Sequence, residues 1–144
     1  MSYELPTDRS YEPETHLWVR VESDDRVRCG FDPLGAETCG DLVALSIEPV
    51  GSVVERGKAF GSLEAAKFVG PMLAPVAGRI TAHNERVLAD PSLVNEEPLT
   101  EWLVEIEPAD PASALDGLIS DPDVLSEWIK DEVEKFKRQG MIAE

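Results

Sequence analysis

Basic residues are scarce in this chain. Thirteen Lys and Arg stand against 29 Asp and Glu, a formal charge of −16. A groove that gathers phosphates needs concentrated cationic side chains, so a nucleic-acid partner is not expected. Acidity on this scale promotes solubility and steers a protein toward basic partner surfaces. Cysteine is scarce too. Two in 144 residues do not make a disulfide scaffold, and Cys29 and Cys39 lack any zinc spacing, with no Cys-x-x-Cys. No run approaches the roughly 18 apolar residues that span a bilayer. Met1–Ser10 is polar, without the apolar centre of a signal peptide. The expectation is a cytoplasmic chain with no membrane partner.

Catalytic apparatus is equally thin. His16 and His83 have no nucleophile or carboxylate at a fixed spacing, so both read as structural. Gly57-Lys58 lacks the glycine pattern that precedes a phosphate-binding lysine. A self-contained enzyme is not expected. Cys29 and Cys39 flank a turn and a short helix that can bring their sulfurs together. They read either as two small buried hydrophobes or as a redox pair beside another thiol or disulfide.

What is present is a succession of short strands. Leu17-Trp18-Val19-Arg20-Val21-Glu22, the turn Ser23-Asp24-Asp25, and Arg26–Phe31 make a hairpin signature of period two. Asp32 as a cap, Pro33 at a first helical position and Gly40 as a stop predict one short helix. Strand character returns over Asp41–Ile47, Ser52–Val54, Ala59–Glu64, Arg79–Asn84 and Leu99–Glu107, with glycine-rich turns between. These segments lie too close together for crossover helices, which excludes a parallel α/β sheet. Gly51-x-x-Val54-x-x-Gly57 and Ala74-Pro75-x-x-Gly78-x-Ile80 hint at an internal duplication. Asp110-Pro111 predicts a short helical stretch through Ile119. Asp121-Pro122-Asp123 opens a longer helix whose apolar set is Val124, Leu125, Trp128, Ile129, Val133 and Phe136, ending near Gly140.

One lysine stands out. Lys67 sits in Gly61-Ser62-Leu63-Glu64-Ala65-Ala66-Lys67-Phe68-Val69-Gly70, with strand-like sequence on both sides. That places an amine at the tip of a hairpin, flanked by small or apolar residues, where a modifying enzyme can reach it. A biotin carrier also uses a hairpin lysine, but its lysine lies between methionines, unlike Ala66 and Phe68. An unmodified binding module would leave Lys67 bare.

Together these segments resemble the H protein family of the glycine cleavage system over His16 to Ile119. The resemblance rests on His16-x-Trp18-Val19, Gly40-Asp41-Leu42-Val43, the Gly51–Gly57 turn, and Phe60-Gly61-Ser62-Leu63-Glu64-Ala65-Ala66-Lys67. It continues through Ala74-Pro75-Val76-Ala77-Gly78, Asn84, Leu93-Val94-Asn95-Glu96-Glu97-Pro98 and Trp102-Leu103. It implies a mostly β, lipoyl-domain-like flattened barrel or sandwich hybrid with short C-terminal helices. Residues 1–15 would form an N-terminal arm, 16–109 the lipoyl-type β domain, and 110–144 a helical segment packed on it. It implies lipoic acid amide-linked to Lys67, Glu64 within the motif that the lipoylating enzyme reads, and a carrier that serves partner enzymes.

Two departures shape the expected cargo. Leu17 and Pro71 stand where glycine-cleavage H proteins carry acids thought to hold the ammonium of an aminomethyl intermediate. Phe68 replaces the usual alanine after the lysine. Similarity to the lipoate-binding proteins of heterodisulfide-reductase-like sulfur oxidation systems would accommodate both, with Cys29 and Cys39 as redox assistants. The expectation placed first is therefore a carrier of sulfur-bearing intermediates, partnered by a heterodisulfide-reductase-like complex. The alternative is an aminomethyl carrier partnered by the glycine cleavage enzymes. In either case a dihydrolipoamide dehydrogenase-type flavoprotein would reoxidise the arm.

Overall fold

A computed structural model describes residues 3–142. Among the described residues, nine strands form two antiparallel sheets. The larger contains β1 (Ser10–Tyr11), β2 (Leu17–Ser23), β3 (Arg26–Phe31), β5 (Val53–Val54), β8 (Gly78–His83) and β9 (Val104–Pro108), in the order β1-β2-β3-β9-β8-β5. The smaller contains β4 (Leu42–Ile47), β6 (Ala59–Ala65) and β7 (Val69–Leu73), in the order β4-β6-β7. The sheets face each other as an open sandwich, and the apolar residues that alternate along the strands fill the space between. Leu17, Val19, Phe60, Val76, Ile80, Leu103 and Ile106 are all essentially inaccessible to solvent. Enclosing each large aliphatic or aromatic side chain contributes about 1.5–3 kcal/mol, which drives the closure.

The β2–β3 hairpin has the expected register, pairing Leu17 with Phe31 and Val19 with Cys29. Trp18 points the other way into a second cluster with Tyr11 and Leu125. Its indole N–H donates to the carbonyl of Pro98 at 2.9 Å, and the Arg9 and Arg20 guanidiniums lie 4.6 and 5.4 Å from the ring centroid. The two half-motifs of the suspected duplication meet directly: β5 pairs with β8, Val54 opposite Gly78. Gly78 is required there, because a Cβ would lie 2.1 Å from the Glu107 carbonyl oxygen.

Helix α1 (Pro33–Cys39) forms as its caps predict, with the Asp32 carboxylate accepting from Gly35 N and Gly40 closing it. The long helix α4 (Pro122–Arg138) also follows its pattern, capped by Asp121 and buried through Leu125, Ile129 and Val133. Four details differ from the sequence expectation or lie outside it. Residues 3–11 are fastened to the sandwich: Ser10–Tyr11 pairs with β2, and Tyr3 and Leu5 pack near α4. Residues 85–96 form two short helices, α2 (Glu85–Ala89) and α3 (Ser92–Glu96). The strand expected from Leu99 begins only at Val104, because Thr100 and Glu101 turn back to bond the Glu97 carbonyl. The helix expected over 110–119 is a chain of tight turns. Its bonds run from Ser113 N to Asp110 O, Asp116 N to Ser113 O and Leu118 N to Leu115 O. Each spans three residues, so no four-residue ladder forms, and Gly117 leaves helical geometry with φ +82°.

Candidate functional site

Lys67 stands at the tip of the β6–β7 hairpin, and both it and its neighbours Ala66 and Phe68 are exposed. Below the tip, Ala65 is buried and donates its N–H to the Phe68 carbonyl at 2.8 Å, which closes the hairpin. Two further bonds pin the tip from outside. Ala66 N donates to the Asp41 carbonyl and Lys67 N to the Cys39 carbonyl, each at 2.9 Å. The acceptors lie at the α1–β4 junction, and Asn95 holds that junction in turn. The Asn95 side-chain oxygen accepts from Leu42 N at 2.8 Å, and its amide donates to the Gly40 carbonyl at 2.9 Å. A satisfied side-chain amide of this kind fixes a backbone turn that water would otherwise loosen. The Leu-Val-Asn block is thus the remote anchor of the lysine.

Gly40 is needed at this junction for two reasons. Its φ of +78° is in the left-handed region, and a Cβ would sit 3.1 Å from Lys67 Cγ and 3.2 Å from Ala66 Cβ. None of the ion pairs among the described residues involves Lys67. Glu64 is exposed, in register with Ala44 on one side and Val69 on the other.

The hairpin separates two unlike depressions. One is a groove that includes Lys67 itself, with Glu37, Asp41 and Glu97 among its lining residues. The other is a cavity of 370 Å³ lined by Leu17, Phe31, Leu63, Phe68, Met72, Phe136 and Met141, and by Glu14 and Thr15. Leu17 and Pro71 both line this cavity, so neither position brings a carboxylate to it.

The cysteines and histidines have distinct surroundings. Cys29 is fully enclosed in the core and Cys39 half-buried at the cavity wall; both are free thiols. Burial pushes the Cys29 thiol far up, and pushes that of Cys39 up to about 11. A thiol held protonated is a poor nucleophile for disulfide exchange, so the environment of Cys29 is that of a packing residue. His83 Nε2 donates to the Glu48 carbonyl at 2.7 Å. His16 is buried between two carboxylates: Nδ1 lies 2.8 Å from Asp32 Oδ2, and Nε2 lies 2.8 Å from Glu132 Oε1. The spacing of residues 16, 32 and 132 gave no sign of that cluster, which tertiary packing alone creates.

A rigid two-sheet sandwich that presents one exposed lysine on a braced hairpin defines a carrier domain, built to hold a covalent group away from its body. The family model for the glycine cleavage H-protein matches residues 9–132. The chain is 38% identical over 129 residues to the glycine cleavage system H protein of Halalkalibacterium halodurans, covering 89% of this chain and 98% of that one. It is 41% identical over 115 residues to the protein of the same name from Bordetella pertussis, covering 80% and 90%. A crystal structure of a glycine cleavage system H protein from Mycobacterium marinum superposes with a TM-score of 0.76 at 29% identity, covering 90% of this chain and 99% of that one. This chain belongs to the glycine cleavage H-protein family. Members of that family are lipoyl carriers that serve partner enzymes rather than catalysts in their own right.

Proposed function

We propose that Lys67 carries lipoate through an amide on Nζ, and that the loaded chain serves glycine cleavage. The observation that carries this reading is the braced, exposed lysine at the hairpin tip, in a chain of this family. When bound, the lipoyl group supplies a dithiol that bears a fragment between enzymes at high local concentration. The chain's own residues do the presenting and the sheltering. Ala66 N and Lys67 N hold the tip, and Glu64, exposed three residues before the lysine, is available to a lipoylating enzyme. The cavity bounded by Leu63, Phe68 and Met72 is apolar enough for the end of a dithiolane-tipped acyl chain. Glycine cleavage enzymes would load and unload the carrier, and a dihydrolipoamide dehydrogenase-type flavoprotein would reoxidise it, all in the cytoplasm. Among the described residues no helix is long and apolar enough to cross a membrane.

The sulfur-bearing cargo that Leu17 and Pro71 suggested falls to second place, because the relatives named above are glycine cleavage H proteins. One observation keeps it as the alternative: Leu17 and Pro71 bring no carboxylate to the cavity, which leaves Glu14 as the acid in its lining. Peptide-level mass analysis of protein purified from its growing host tests both. A lipoyl increment on Lys67, absent in Lys67→Arg, is the expected result. An aminomethyl adduct on that increment supports glycine cleavage, and extra sulfur supports the alternative. A bare Lys67 overturns the carrier reading.

A further inference from the structure

We propose that helix α4 is a movable wall of the apolar cavity beside the lysine hairpin, and that His16, bonded at both ring nitrogens, is the fastener that holds it shut. The cavity walls come from the sheets, from α1, from the hairpin tip and from the C-terminal helix. Leu17, Phe31, Leu63 and Met72 belong to strands locked in ladders, whereas Phe136 and Met141 belong to α4 and the turn beyond it. Helix α4 has no ladder. Among the described residues, the Glu132–His16 contact is the hydrogen bond that joins 122–138 to the sheets; its other polar contacts stay within the helix and its caps. Trp128 stacks on the imidazole at 4.7 Å, and Phe136 lies at 5.6 Å. The ring therefore touches the helix at the point where the helix borders the cavity.

The contact depends on a proton. Ionised carboxylates can only accept, so holding both contacts requires hydrogen on both ring nitrogens, the imidazolium form. The charged groups facing it are Asp32 from the β3–α1 junction and Glu132 from α4, with Lys135 behind, 3.0 Å from Glu132. Burial pushes the nearby Tyr3 and Tyr11 phenols up, so they stay neutral. Burial alone would lower the imidazole pKa, but the two carboxylates outweigh it and raise it above the ordinary 6.5. The fastening is complete below that ordinary value and is lost as pH rises through the raised one.

The site of proton loss follows from the surroundings. Asp32 is fully enclosed and also caps α1 through Gly35 N, so Nδ1 keeps its hydrogen there. Nε2 then turns a lone pair toward the Glu132 carboxylate, and attraction between His16 and the helix becomes repulsion. Deprotonation loosens α4, which then rests on its apolar contacts alone, and leaves the sandwich intact.

As regulation of the site, this rests on the carrier reading, but its test uses unmodified full-length protein and stands apart from that reading. Amide hydrogen exchange, corrected for intrinsic rates, is followed from pH 6 to 9.5 at Val133 and Phe136 in α4 and at Ile106 in β9. Protection in α4 is expected to fall about tenfold across the range, as for loss of one charge-assisted hydrogen bond, while Ile106 holds. In Glu132→Gln, whose amide accepts from the imidazolium and donates to the neutral ring, a hydrogen bond survives at every pH and that dependence shrinks to about twofold or less. Cys39 at the cavity wall should react with iodoacetamide faster in Glu132→Ala than in wild type at pH 6, with the ratio shrinking toward one as pH rises. Equal loss of protection in α4 and β9, unchanged α4 protection in wild type, or undiminished pH dependence in Glu132→Gln would each overturn the proposal.

Discussion

The two sheets of this molecule have outer faces of opposite character. On the six-stranded sheet the exposed positions carry a ladder of charge. Arg28 is in register with Glu105 and bonds it at 3.1 Å, Arg26 reaches Glu107 at 3.0 Å, and Thr81 bonds Glu105 at 3.0 Å. On the three-stranded sheet the corresponding rows are small or uncharged, apart from Glu64: Ala44, Glu64 and Val69 in one register, Ser46, Ser62 and Pro71 in the next. Strands β4 and β7 are both edges there, and Pro71 removes one N–H from an edge that another strand would otherwise extend. Cross-strand ion pairs order the first face, while the second leaves a low surface around the lysine that a large enzyme can approach. Both sheets build the core, and the smaller one also carries the lysine hairpin.

Three substitutions sharpen that division, in descending effect. Trp18→Ala empties a fully buried site behind the six-stranded sheet and should lower global stability by about 3–5 kcal/mol, read from urea unfolding. A loss under 1 kcal/mol would mean that the second cluster is dispensable. Asn95→Ala should cost about 1–3 kcal/mol by leaving the Leu42 N–H and Gly40 carbonyl unpaired. Its distinctive mark is faster amide exchange at Ala66 and Lys67 with β9 unchanged; unaltered exchange at the tip would remove Asn95 from the presenting machinery. Glu105→Gln breaks part of the charge ladder between partly exposed groups, so about 1 kcal/mol or less is expected. That small effect should fade in high salt, and its persistence there would show that packing rather than charge sets the contribution.

The parts of the fold legible in the sequence were those governed by local chemistry. Asp32, Pro33 and Gly40 announced α1; Asp121-Pro122 and the three- and four-residue spacing announced α4; alternation announced β2 and β3. The position of Lys67 at a hairpin tip was legible because such a tip is a local feature. What escaped was set by distant partners. Ser10–Tyr11 is a strand only because Val19 and Trp18 offer it an edge. Helices α2 and α3 hold five residues each, too few to display a period, and Asn84 caps the first while its amide bonds Trp102 O far along the chain. The His16 cluster needed residue 132 folded back over residue 16. The helix expected over 110–119 failed for a local reason: Asp110 caps its own turn, accepting from Ser113 Oγ at 2.7 Å, and Gly117 then breaks the run.

The tip of the lysine hairpin is held by main-chain groups on both sides, from Ala66 N and Lys67 N to the carbonyls of Asp41 and Cys39. Those bonds use no side-chain atom of the residues that flank the lysine, and both flanking side chains are exposed. The scaffold is therefore a socket whose address label can be rewritten. Placing methionine at 66 and 68 should leave Lys67 where it stands while offering it to a biotin-attaching enzyme. A carrier for one chemistry would become, without refolding, a handle for another.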